Sequence, residues 1–208
     1  MIAQEDTQKI SRVGIFGGTF NPPHLGHLIV AEEVRQNFSL EKIIFVPSAR
    51  PPHKDHSPVI HPAYRYRMTI LATQNNPFFE VSDIEIHRSG KSYTIDTIKE
   101  FRTMYGPEVE IYFIMGGDSI FEMDTWKDPE KILKICTVIV TSRPGFDLSK
   151  VEDRLKAKVV PTQVSHIGIS SSVIRQRIRE GKSISYYVPK NVEEYILKEK
   201  LYRKNPSE

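Results

Sequence analysis

Two histidines three residues apart, His24 and His27, close the segment Gly17-Gly-Thr-Phe-Asn-Pro-Pro-His-Leu-Gly-His27. An apolar run, Val13-Gly-Ile-Phe16, leads straight into its two glycines, and a helical pattern follows it. Glycines at a strand end let the backbone approach a ligand closely. Histidines three apart at a helix start share one face, beside the N–H groups that the first turn leaves over. Imidazoles and spare N–H groups together suit phosphate, and they could stabilise charge in a phosphoryl or nucleotidyl transfer. Zinc is the alternative, because His53 and His56 form a second H-x-x-H. No Cys, Asp or Glu recurs nearby with ligand spacing, and a zinc site would leave the glycine turn without a purpose. His56 and His61 read as surface residues in a polar loop.

Four other places carry chemistry. Ser170-Ser-Ser172 opens a helix that bears Arg175. Serine there is first a helix cap, and with the arginine it is also an anion cradle. Gly116-Gly117-Asp118 follows a strand, and Asp118 could cap the next short helix. Trp126, the single tryptophan, has polar neighbours, which suits a stacking platform as well as a core residue. Lys54 lies in a Pro/His-rich loop and reads from its surroundings as a solvated lysine. Gly-Lys-Ser occurs at Gly90 and Gly181, but Glu85 and Gln176 stand where a phosphate-binding P-loop needs its first glycine. Both triplets read as turns.

The elements that must hold these residues alternate in type. Strands are expected at Val13–Phe16, Ile43–Val46, Phe79–Ile86, Glu110–Met115, Cys136–Val140 and Lys158–Val160. Helices lie between and after them, with Val30, Val34 and Phe38 on one face, then Tyr64, Met68 and Leu71, then Ile95, Ile98 and Phe101 within Tyr93–Tyr105. Two more close the chain, one from Ser170 to Gly181 and one over Pro189–Lys200 with Val192, Tyr195 and Ile196 inward. This predicts a doubly wound, Rossmann-like α/β fold with a parallel sheet and helices on both faces. Ligands in such folds bind beyond the strand C-termini, where the candidate loops fall. We find no repeat or linker, so residues 1–208 read as a single domain, with 1–10 a poorly ordered N-terminal extension.

The net charge of +3 is too small and too evenly spread for a nucleic-acid partner. No apolar run approaches the roughly 18 residues of a membrane span, and no signal-peptide core is visible. The single cysteine, Cys136, cannot pair internally and reads as a buried structural thiol in a cytoplasmic protein.

The Gly17–His27 segment resembles the nucleotidyltransferase superfamily, whose loop reads GG(T/S)FDPxHxGH. Pro51-Pro-His-Lys54, Ser92-Tyr-Thr94, Gly116-Gly-Asp118, Trp126, Arg143-Pro-Gly145 and Ile169-Ser-Ser-Ser-Val-Ile-Arg175 extend the likeness, in order, to the bacterial nicotinate-nucleotide adenylyltransferases. The resemblance covers roughly residues 12 to 203. Asn21 stands where Asp is more frequent, Ser172 where Thr is common, and Lys127 where an aromatic residue is frequent.

The resemblance implies Mg²⁺-assisted adenylyl transfer from ATP to nicotinic acid mononucleotide, with pyrophosphate released. It implies catalytic roles for His24, His27 and Arg175. It places ATP against Gly17, Gly18, Thr19, Phe20, Lys54, Gly116, Asp118, Ser170 and Ser171, and the mononucleotide against Tyr93, Thr94, Trp126 and Arg143. For Arg143 a turn with a surface arginine is the alternative. Mg²⁺ would be bound mainly through ATP phosphates, with no dedicated protein metal site. A homo-oligomer is compatible with this reading. The rivals are a phosphopantetheine adenylyltransferase, an enzyme preferring the amide mononucleotide, and a non-catalytic nucleotide sensor of the same fold.

Overall fold

The computed structural model describes residues 10–49, 59–142, 155, 158–165 and 167–203. Six strands form one sheet: β1 (Arg12–Gly18), β2 (Lys42–Pro47), β3 (Phe79–Val81), β4 (Glu110–Gly116), β5 (Thr137–Ser142) and β6 (Val159–Gln163). Their order is β3-β2-β1-β4-β5-β6, and every pairing is parallel. The expected doubly wound α/β fold is therefore present, and its strand order reverses between β1 and β4.

Alternation of side chains along the strands builds two cores. Val13 and Ile15 of β1, Ile44 and Val46 of β2, and Ile111, Phe113 and Met115 of β4 face one side. There they meet Ile95, Ile98 and Phe101 of α3 (Thr94–Tyr105), the inward face expected from sequence. Phe16, Ile43, Phe45 and Ile114 face the other side, against Ala31 and Val34 of α1 (Leu25–Asn37). Gly14 belongs to that second face. A Cβ there would lie 2.6 Å from Ile43 Cδ1, so the bare backbone is what lets Ile43 pack on β1. A third cluster sits off the sheet. It joins Met68 and Ala72 of α2 (Pro62–Thr73) to Ile174, Val192, Ile196 and Leu201 of the C-terminal part.

Two sequence expectations need correcting. β3 ends at Val81 rather than Ile86, because after a last bond to β2, Ser82 N–H to Phe45 O, the chain turns through Ile84–His87 with Ile86 N–H on Asp83 O at 2.7 Å. The inward face of α2 is also rotated by one position. Arg65, Met68, Thr69 and Ala72 are buried, whereas Tyr64 is 38% exposed. A charged residue in the apolar phase disguised that stripe. The remaining elements are α4 (Gly117–Ile120), α5 (Pro129–Ile135), α6 (Ser171–Arg179) and α7 (Lys190–Lys198). Among the described residues no helix is long and apolar enough to cross a membrane.

Candidate active site

β1 delivers Gly17 and Gly18 at its C-terminal end, opposite Val46 and Pro47 of β2. A Cβ on Gly18 would lie 2.9 Å from the Phe20 ring. The chain then passes through Phe20, at φ 47°, and a cis Asn21–Pro22 peptide into α1. His24 is the N-cap of α1 and His27 its third residue. Their rings stack, with centroids 3.6 Å apart and planes at 24°. The His24 N–H donates to His27 Nδ1 at 3.1 Å. That bond assigns the lone pair to Nδ1, so the neutral His27 ring carries its proton on Nε2 and presents a donor there. Gly26 makes the stack possible, because a Cβ there would lie 3.1 Å from His24 Nδ1. Near-parallel rings aim their nitrogens side by side rather than at one point, which suits an extended anion better than tetrahedral zinc.

The Phe20 ring is only 2% exposed. It lies edge-on to His27, 5.1 Å between centroids, with Phe16 and Phe45 beside it. It therefore props His27 from the core, and any contact of Phe20 with ATP falls to its main chain.

Helix α6 and the C-terminus converge on the same loop. Ser171 Oγ donates to Pro22 O at 2.8 Å, and Arg175 Nη1 donates to Asn21 O at 2.8 Å. Tyr202 OH donates to Asn21 Oδ1 at 2.9 Å, and Leu25 N–H donates to Tyr187 O at 3.0 Å. A neutral phenol is thus one partner of the side chain that stands where Asp is more frequent. Burial lowers the Arg175 pKa from its usual value, yet a guanidinium stays charged at working pH. Its Nε has no hydrogen-bond partner among the described residues. Ser170 caps α6 by accepting Val173 N–H at 3.3 Å, the helix-cap role expected of it.

A cavity of about 450 Å³ opens beyond the ends of β1 and β4. Gly17, Gly18, Thr19 and Gly116 line it together with Tyr93, Thr94 and Trp126. Trp126 packs on the core with its ring edge-to-face on Phe113, 6.1 Å away. Lys127 Nζ lies 4.8 Å above the Tyr93 ring and 2.9 Å from Asp96 Oδ2. Asp118 is exposed in the first turn of α4, whose N-cap is Gly116, so Asp118 is not that helix's cap. His24, His27, Ser171 and Arg175 do not line this cavity but gather on the next few residues of the same loop. Lys54, Arg143, His53 and His56 lie outside the described residues. His61 is exposed, and its Nδ1 caps α2 by accepting Ala63 N–H at 3.3 Å.

The family model described as cytidylyltransferase-like matches residues 15–177. A Moorella thermoacetica protein named "Probable nicotinate-nucleotide adenylyltransferase" is 51% identical, over 92% of this chain and 92% of its own. A Thermus thermophilus protein of the same name is 44% identical, over 92% of this chain and 100% of its own. The chain belongs to the nicotinate-nucleotide adenylyltransferase family. The fold agrees. The Plasmodium falciparum nicotinic acid mononucleotide adenylyltransferase complexed with NaAD superposes with a TM-score of 0.76 at 22% identity. That alignment covers 92% of this chain and 97% of the other.

Sequence reasoning missed two charged residues behind this adenylyltransferase-family site. Arg65 is 0% exposed. Its three nitrogens donate to Ile60 O, Thr19 O and Ala49 O at 3.1, 2.8 and 3.1 Å. Burial pushes its pKa down to about 10, which leaves it charged at neutral pH. Glu85 is 8% exposed, lines the cavity and accepts from Thr97 Oγ1 at 2.7 Å. Burial raises its pKa, opposed by that bond and by Arg88. The available signal was spacing: Arg65 falls three, four and seven residues before Met68, Thr69 and Ala72.

Proposed function

We propose that this chain transfers the adenylyl group of ATP to nicotinic acid mononucleotide, giving nicotinic acid adenine dinucleotide and pyrophosphate. The stacked His24–His27 pair at the start of α1, beside a glycine-lined cavity, carries this reading. A 5′-phosphate oxygen of the mononucleotide attacks the α-phosphorus of ATP. The new P–O bond replaces the bond from that phosphorus to the bridging oxygen, and the electron pair leaves on pyrophosphate. The step needs no protein nucleophile. Burial pushes the Cys136 thiol up to about 12, which makes it inert. The protein's part is to align the two phosphates and stabilise charge.

In this reading the His27 Nε2–H and the His24 ring stabilise charge at the transferred group and its neighbour. Arg175 and the N-terminus of α6, with Ser170 and Ser171, hold the departing phosphates. The glycines and Thr19 admit the backbone to the nucleotide, and Gly116 and Asp118 meet the adenosine. Tyr93 and Thr94 form the wall of the pyridine pocket, with Trp126 stacking on the ring. Lys54 and Arg143 join from their loops. Bound Mg²⁺ would neutralise phosphate charge. Among the described residues no three His, Cys, Asp or Glu side chains gather to hold a metal, and the nitrogen-rich site fits an ion held by phosphate oxygens and water. The reaction belongs in a reducing cytoplasm, in keeping with one thiol buried against Ile132 O.

Purified protein with ATP, Mg²⁺ and either mononucleotide tests this by pyrophosphate release. Release with the acid, faster than with the amide, is expected. No release with the acid removes the assignment, and faster release with the amide transfers it to the amide substrate.

A further inference from the structure

The loop after β2 ends its described part at Ala49, which is 8% exposed. Its carbonyl accepts from Arg65 Nη2 at 3.1 Å, and its N–H is one of the groups that offset the burial cost of the Glu85 carboxylate. The same Arg65 reaches Thr19 O through Nη1 at 2.8 Å, on the loop that leads to the histidines. The same Glu85 accepts from Thr97 Oγ1 at 2.7 Å, on the helix whose first turn carries Tyr93 and Thr94. Arg88 Nη1 also donates to that hydroxyl at 3.1 Å, which fixes it from the other side. Among the described residues Arg65 makes no hydrogen bond to a carboxylate, and its three acceptors there are carbonyls from three separate segments.

Such an arrangement is costly. A buried guanidinium loses its hydration, and three neutral carbonyls return only part of it. An apolar residue would serve a core better, so the charge calls for a role beyond packing.

We propose that Arg65 and Glu85 form a clasp around the Ala49 peptide that couples the ATP side of the site to the mononucleotide side. The assignment of the two sides rests on the function proposed above. Both are positioning residues. Arg65 sets the distance between the loops after β1 and β2, and Glu85 sets the position of the Tyr93–Thr94 wall relative to Ala49. A substrate that orders one side thereby finds the other already placed, which is a coupling between two binding sites.

The test uses the full chain as wild type, Arg65→Lys, Glu85→Gln and the double variant. The probe is an ATP analogue with a methylene between its α- and β-phosphorus atoms. A single ammonium cannot serve three carbonyls, and glutamine keeps the shape of Glu85 while removing its charge. Each single variant is expected to weaken analogue binding about ten-fold, including Glu85→Gln, which lies on the mononucleotide side. The double variant should fall within about three-fold of the worse single one, instead of the roughly hundred-fold of independent effects. The KM for the mononucleotide should rise in Arg65→Lys.

Analogue binding by Glu85→Gln within about two-fold of wild type overturns the clasp, as do losses that multiply. So does a fall in melting temperature with unchanged affinities below it. Should the double variant not fold, the cross-site effects of the two singles decide. Wild type that turns over neither mononucleotide sinks the proposed reaction, while the analogue titrations still judge the clasp.

Discussion

The loop from Thr19 to His27 and the segment around Trp126 border one cavity, yet they are held in opposite ways. The loop is tied from four directions by Arg65, Ser171, Arg175 and Tyr202, all through hydrogen bonds of 2.8–2.9 Å. Its histidines are locked to each other, and Phe20 supports them from the core. The Trp126 segment follows a short 3-10 turn, Met123–Thr125, and is held by apolar packing, with Met123 buried in the core and Trp126 edge-on to Phe113, and by the half-exposed Lys127–Asp96 pair. Exposed ion pairs contribute little, because water already solvates both charges. The difference follows the chemistry proposed for each side. Charge stabilisation needs donors set in place before the reaction, since reorganising them would raise the barrier. An aromatic ring that stacks on a pyridine tolerates looser placement, because dispersion is non-directional.

That contrast can be broken by substitution. His27→Ala removes a donor from the rigid side, and steady-state kinetics should show turnover down by at least about 100-fold with the fold intact by circular dichroism. Near-normal turnover would deny the ring any part in charge stabilisation. Trp126→Ala acts on the looser side. It should raise the KM for the mononucleotide about ten-fold and leave that for ATP unchanged, whereas equal rises would remove the stacking role.

Smaller effects sharpen the same division. Tyr202→Phe deletes only the hydroxyl on Asn21 and should cost about 1 kcal/mol in thermal or urea unfolding, with a few-fold loss of kcat. An unchanged kcat would show that the C-terminus secures the fold and leaves the loop alone. Lys127→Ala should change stability by less than about 1 kcal/mol, with any effect fading in 0.5 M salt. A large, salt-resistant loss would place the Trp126 segment among the rigid parts.

Much of this was legible in the residues. The strands and the inward faces of α3 and α7 followed from periodicity, because a buried face repeats every two or 3.6 residues whatever packs on it. The glycine turn and the His24–His27 spacing pointed to phosphate because both signals are local. β3 was overextended because alternation continues past Ser82, where the chain turns on Asp83 O. The phase of α2 was misjudged because Arg65 is charged, and its burial is explained by its three carbonyl partners, two of them 16 and 46 positions away.

The sequence by itself determined the order of strands and helices, the strand-end glycines and the chemical type of the site. Those depend on contacts within a few residues or on a repeating pattern. The tertiary structure decided that Arg65 meets Thr19 O from 46 positions away, that Phe20 faces inward against Phe45, and that Asn21 meets Tyr202 from 181 positions away. Each of those is a pairing across the fold. A polar residue's partner is set by where the whole chain brings it, and no spacing along the sequence records that.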